Sequence, residues 1–236
     1  MTTYMYIETS DSLVLSYEAL ALNHKKNLEL GRSGSYYTTF PLLILNASIV
    51  EGILRFWLSN AVKNEQKRRI KFGEKLGQKE KDKSEILLER FLIGIETNGG
   101  FNKLKEDYSF FFDLSLEKID KSFDPEPLKA LFTLRNILAH GTALVAPKIS
   151  SATTNKNDYV DNWQTRLQQA STFMNRQFST TDIFAALNNP AVPKYFLEYT
   201  QNYLKEVISA TPNNKLKTGT AFEAFSKLNF GFRNRL

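Results

Sequence analysis

The segment Leu131-Phe132-Thr133-Leu134-Arg135-Asn136-Ile137-Leu138-Ala139-His140-Gly141 sets an arginine, an asparagine and a histidine into an otherwise apolar run. Those side chains have the makings of phosphoryl-transfer chemistry. A histidine changes charge near neutral pH and can carry a proton. A neighbouring arginine can donate paired hydrogen bonds to a phosphate and stabilise the extra negative charge of the transition state. RNA supplies its own nucleophile, the 2′-hydroxyl, so its cleavage needs a proton acceptor, a proton donor and a cation, but no metal. On an ideal helix Asn136 and His140 share a face, and Arg135 lies about 140° round from His140, flanking a common groove near the helix end. The helix C-terminus also favours an imidazolium. A purely architectural role stands beside this one: Arg135 in a buried ion pair, Asn136 bonded to backbone, His140 capping the last carbonyls.

Composition narrows the alternatives. Among 236 residues there is no cysteine, which removes disulfides, thiolate nucleophiles and cysteine-ligated metals. Only His24 and His140 could give imidazole ligands, and no clustered Asp/Glu motif suits magnesium, so neither a metal nor a cofactor is expected. His24, beside Lys25 and Lys26, reads as a surface residue. Scarce Gly and Pro and plentiful Phe and Tyr point to long helices around a packed core.

The net charge of +6 is concentrated. Residues 63–83 hold nine Lys/Arg against four acids, which leaves about +1 for the rest of the chain. Such a patch can attract nucleic acid or an acidic partner, or it can be a solvated connector. The stretch 40–58 approaches membrane-spanning length but contains Asn46, Glu51 and Arg55, each costly in lipid. A buried helix without a membrane partner is expected, and the N-terminal MTTYMYIETSDS lacks the features of a secretory signal, so the cytoplasm is the expected compartment.

The motif must be positioned by helices. The first is predicted over 13–30, ended by Gly31; the second, the apolar centre of the fold, from about 38 to about 64, with Pro41 in its first turn. The basic segment follows as a charged helix or connector, with Gly73 and Gly77 against one rigid rod. A helix over 84–97 is predicted, capped by Ser84 and with Ile86, Leu87, Phe91 and Ile95 on one side. The aromatic stretch 101–122 reads as a helix broken near Asp113. Its Tyr108, Phe110, Phe111 and Phe112 suit core or dimer packing, with base stacking as the alternative. Asp124-Pro125-Glu126-Pro127 is a helix start leading through the motif to Gly141. Residues 142–150 look extended and 151–158 form a polar loop. Helical patterns return over 159–178, 181–187, 193–209 and 220–228.

The run Arg135-Asn136-Ile137-Leu138-Ala139-His140, closing an apolar helix and followed by Gly141, resembles the signature of the HEPN (higher eukaryotes and prokaryotes nucleotide-binding) superfamily. That signature is an arginine, directly followed by a polar residue that is often Asn, and then a histidine, with four to six residues between the arginine and the histidine. Leu45-Asn46-Ala47-Ser48-Ile49-Val50-Glu51-Gly52-Ile53-Leu54-Arg55-Phe56-Trp57-Leu58 also looks like an early core helix of these domains. The resemblance implies an all-α fold: a single domain over 1–236, an up-and-down helical bundle with its core at about 10–145. A candidate insertion lies at about 142–182, and additional C-terminal helices at about 190–236. It implies a metal-independent endoribonuclease of a toxin–antitoxin or phage-defence (abortive infection) system. It also implies a homodimer whose composite site joins two copies of the motif, with RNA as substrate and an antitoxin protein as a candidate partner. By it, Arg135 would hold the scissile phosphate, His140 would transfer protons, and Asn136 would orient the histidine or bind substrate. Lys67, Arg68, Arg69 and Lys71 are candidates for the RNA backbone. Glu51, a carboxylate on an apolar helix, needs a partner: Arg55, one turn on, is preferred, with Arg135 or His140 as the alternative that would make it a supporting site residue. The competing reading is a non-catalytic HEPN binding or regulatory module, or an accessory chain to a nucleotidyltransferase.

Overall fold

The computed structural model describes residues 9–31, 36–77, 80–119, 123–139, 158–211, 216, 218–230 and 232–233. The fold is all-α. Its helices are α1 (Thr9–Glu29), α2 (Tyr36–Lys75), α3 (Lys83–Thr97), α4 (Phe101–Phe112), α5 (Glu126–Ala139), α6 (Asp158–Phe178), α7 (Ile183–Leu187), α8 (Val192–Ala210) and α9 (Thr220–Ser226). A short antiparallel pair, β1 (Leu228–Asn229) with β2 (Phe232–Arg233), is the one departure among the described residues, and the helical reading of the sequence did not anticipate it. The predicted extended segment 142–150 and most of the loop 151–158 fall outside the described residues.

Helix α2 dominates. Leu42, Leu43, Ile49, Val50, Ile53, Leu54, Trp57 and Leu58 are fully buried and cover about half its circumference, and Ile44, Ser48 and Gly52 on the other side are half-buried, so most of its middle is core. By length and composition it could cross a membrane, yet 67% of its apolar window is buried inside the protein. It extends past the expected end near Asn64 to Lys75. The extension is rich in Lys, Arg, Gln and Glu, all good helix formers, and Glu65 pairs with Arg68 and Arg69 three and four residues on. These gains outweigh Gly73, and termination waits for Gly77, whose φ of +77° is a conformation suited to glycine. Pro41 sits in the second turn rather than the first; the bond it removes would reach the carbonyl of Tyr37, an exposed residue.

The chain divides into two compact units, and α1, α2 and α8 each contribute to both. The first comprises 1–12, 49–123 and 203–226. Here Trp57 packs edge-on against Phe222, and the Tyr108 hydroxyl donates to the Leu54 carbonyl at 2.8 Å. Helix α3 is capped by Asp82, not Ser84: the Asp82 carboxylate accepts the Glu85 N–H at 2.8 Å, while the Ser84 hydroxyl donates to the same oxygen at 2.6 Å. Glu85 and Ile95 are the buried positions of α3, whereas Ile86 and Leu87 are exposed, so the apolar side expected from spacing is turned partly outward. Asp113, left-handed at φ 54°, ends α4 at the predicted break.

The turn between α3 and α4 is held from α2. Glu51 pairs with Arg55 at 3.0 Å and accepts the N–H of Gly100 at 3.0 Å. Arg55 donates in addition to the carbonyls of Ile95 and Asn98, the latter at 2.8 Å. One ion pair thus satisfies carbonyls at the end of α3 and an amide at the start of α4.

The second unit comprises 13–48, 124–202 and 227–236. Val14, Tyr17, Ala21 and His24 form the buried stripe of α1, and the Tyr17 hydroxyl donates to the Pro193 carbonyl at 3.3 Å. Gln201 donates to the Leu228 carbonyl at 2.7 Å, which fixes the start of the hairpin. Of the segment 142–182 singled out as a candidate insertion, residues 158–178 form α6, packed on α5.

Replacing Arg55 with Ala should lower stability by about 2–3 kcal/mol, because a partly buried carboxylate and two carbonyls lose a charged donor. Urea denaturation measures it. Arg55→Lys should recover only part, since one ammonium cannot reproduce the guanidinium fork. A loss for Arg55→Ala below about 0.5 kcal/mol, the scale of an exposed pair, would contradict the clamp.

Candidate active site

Helix α5 carries the motif. Its start follows from the sequence: Asp124 accepts the Glu126 N–H at 2.9 Å, Pro125 and Pro127 occupy positions where a missing N–H is tolerated, and Glu126 puts an acid in the first turn. Leu128, Leu131, Leu134 and Ile137 are buried and lock the rotation of the helix. What remains outward is a polar stripe, Lys129, Thr133 and Asn136, at spacings of four and three residues. Arg135 is half-buried beside it, and its Nη1 donates to the Asn136 Oδ1 at 2.9 Å. The two motif residues therefore meet side chain to side chain. His140 follows Ala139 directly and lies outside the described residues.

The other candidates lie in the first unit. On the extension of α2, Arg68 makes two hydrogen bonds to Glu65, at 2.9 and 2.8 Å, and Arg69 bonds Glu65 at 3.1 Å and the Ser84 hydroxyl at 3.0 Å. These bonds hold the Glu65 carboxyl below its ordinary pKa and raise that of Arg68. Lys67 and Lys71 are exposed. Glu51 is engaged by Arg55 and Gly100, an architectural duty in which the preferred partner is the observed one. Among the aromatics, Tyr108 and Phe112 are buried and Phe111 is half-buried, while Phe110 is 78% exposed with its ring against Phe91.

The reading of His24 as a surface residue is corrected. It is 1% exposed. Nδ1 lies 2.7 Å from the Thr38 hydroxyl and Nε2 lies 3.2 Å from the Pro190 carbonyl. A carbonyl only accepts, so Nε2 carries the proton and Nδ1 receives that of Thr38: a neutral, satisfied imidazole. The adjacent lysines misled the sequence reading, because on a helix the neighbours at i+1 and i+2 point elsewhere. The signal available was the stripe at 14, 17, 21 and 24.

Sequence reasoning also missed a cleft between α5 and α6, about 320 Å³ in volume, lined by Glu126, Lys129, Ala130, Thr133, Arg166 and Gln169, among others. Arg176, late in α6, pairs with Glu126 in the first turn of α5, while Arg166 shares the cleft with Thr133 farther along, so the helices run antiparallel. The stripe on α5 was visible in the spacing; its facing residues on α6 required the pairing of the two helices. Among the described residues, no three His, Cys, Asp or Glu side chains cluster as a metal site would require.

Compared with models of known families, with curated proteins and with solved structures, the chain matches none.

Burial holds the His24 pKa below its ordinary value, against the opposing effect of the Pro190 carbonyl. The unfolded chain then binds the extra proton below about pH 6.5 while the folded chain does not. The stability from neutral His24 is complete above that pH and is lost as pH falls toward the lowered folded value. Melting temperature between pH 7.5 and 5 should fall more steeply for wild type than for His24→Gln; equal slopes would contradict the assignment.

Proposed function

We propose that this chain is a metal-independent endoribonuclease of HEPN type, built as an up-and-down helical bundle and acting in the cytoplasm within a toxin–antitoxin or phage-defence system. The observation that carries the reading is the Arg135–Asn136 pair at the outward side of the last described turn of α5, one turn before His140 in sequence. A guanidinium held by a neighbouring amide is restricted to few orientations, which favours a paired grip on a phosphate.

In the proposed reaction a base removes the proton of the 2′-hydroxyl, and that oxygen attacks the adjacent phosphorus. Arg135 stabilises the charge gathering on the non-bridging oxygens. The P–O5′ bond breaks and the leaving oxygen takes a proton from an acid, leaving a 2′,3′-cyclic phosphate and a 5′-hydroxyl. His140 moves these protons. His24 is committed to the interior, so each chain brings one histidine to the reaction. Acid and base then come from two chains, which supports a homodimer with a composite site.

The test is cleavage of a labelled RNA pool in EDTA by wild type, Arg135→Ala and His140→Ala. Wild type should leave 2′,3′-cyclic ends, and each variant should lose at least about 100-fold in rate. Absence of cleavage by wild type, or undiminished cleavage by His140→Ala, would overturn the catalytic reading in favour of a binding module.

A further inference from the structure

The cleft between α5 and α6 continues the stripe on which the motif lies. Lys129 and Thr133 line it, and Asn136 follows on the same side of α5. Across it, α6 supplies Arg166 and Gln169, over a floor of Ala130 and Ala170. The small floor residues bring the helices close and leave a shallow trough open to solvent. Both helices thus contribute one cation and one neutral hydrogen-bonding side chain. Among the described lining residues the one acid, Glu126, is engaged by Arg176 at its far end. Among these residues the excess charge is positive, and Lys129 and Arg166 are exposed.

We infer that this trough holds backbone phosphates of the single-stranded RNA flanking the cut, with Lys129 and Arg166 as the phosphate contacts and Thr133 and Gln169 as neutral donors. The inference rests on the ribonuclease reading for its ligand. From Lys129 to Asn136 the helix rises about 10 Å, the length of about three stacked nucleotides. A strand gripped at the motif therefore passes along the trough within a few nucleotides. An open trough with cations on both walls suits a chain of phosphates better than a small anion, which a closed site would desolvate. Because the contacts are to the backbone, they strengthen binding without selecting sequence.

The experiment measures anisotropy of a labelled, non-cleavable 2′-O-methyl RNA of about 12 nucleotides on the full chain across a salt series. Lys129→Gln/Arg166→Gln is compared with a charge-matched control, Lys205→Gln/Lys227→Gln, at exposed positions outside the trough. The trough variant should bind about tenfold or more weakly than the control, and its log Kd–log salt slope should be shallower by about 1.4, or 0.7 for each lost contact. If wild type binds and the two double variants are indistinguishable, the inference is overturned while the ribonuclease reading stands on its own cleavage assay. If the trough variant loses binding but wild type leaves unmodified RNA intact, the trough is supported and the ribonuclease reading falls. If wild type binds no RNA, both fall.

Discussion

A helix that is apolar nearly all round has one stable place, the interior, and everything else must be arranged to cover it. Helix α2 imposes that demand for most of its 40 residues. Both compact units are assembled in part from it, the first from Ile49 onward and the second up to Ser48. Some of the polar groups on its buried length are tied to neighbouring backbone. Glu51 and Arg55 are the clearest case: an ion pair one turn long whose spare hydrogen-bonding capacity is spent on the backbone of the α3–α4 turn. Charge at that depth is tolerable only when every acceptor and donor finds a partner.

The same rule accounts for several of the polar residues. Glu51, Arg55 and His24 have interior partners that account for them. Arg135 and Asn136 answer a different description. They bond each other on a helix whose opposite face is locked by four buried aliphatics.

Much of this was legible in the sequence where the governing interaction is local. The Asp124-Pro125-Glu126-Pro127 start, the break at Asp113 and the terminating role of Gly31 each depend on a few neighbouring residues, and each stands at the expected place within a residue or two. Where a distant partner decides, the sequence was silent or misleading. His24 looked exposed because two lysines follow it, while Thr38 and Pro190 make it interior. Helix α3 presented its apolar side by period, yet turned Glu85 inward and Leu87 outward. The facing of Arg166 toward Thr133 needs the antiparallel packing of α6 on α5, and no spacing within either helix encodes it. Of the motif, the placement of Arg135 and Asn136 could be read and then seen; His140 belongs to the reading alone.

The sequestration of His24 has a spectroscopic corollary. Of the chain's two imidazoles, one is fixed as a single tautomer between a hydroxyl and a carbonyl, with the edge of the Phe230 ring 5.5 Å away, centre to centre. Burial holds its pKa below the ordinary histidine value, and the adjacent aromatic ring displaces its ring-proton shifts from solvent values. Every remaining histidine signal belongs to one position. The protein thus carries one sequestered imidazole and a single other reporter, so an unlabelled proton spectrum can follow the ionisation of His140 separately from that of His24.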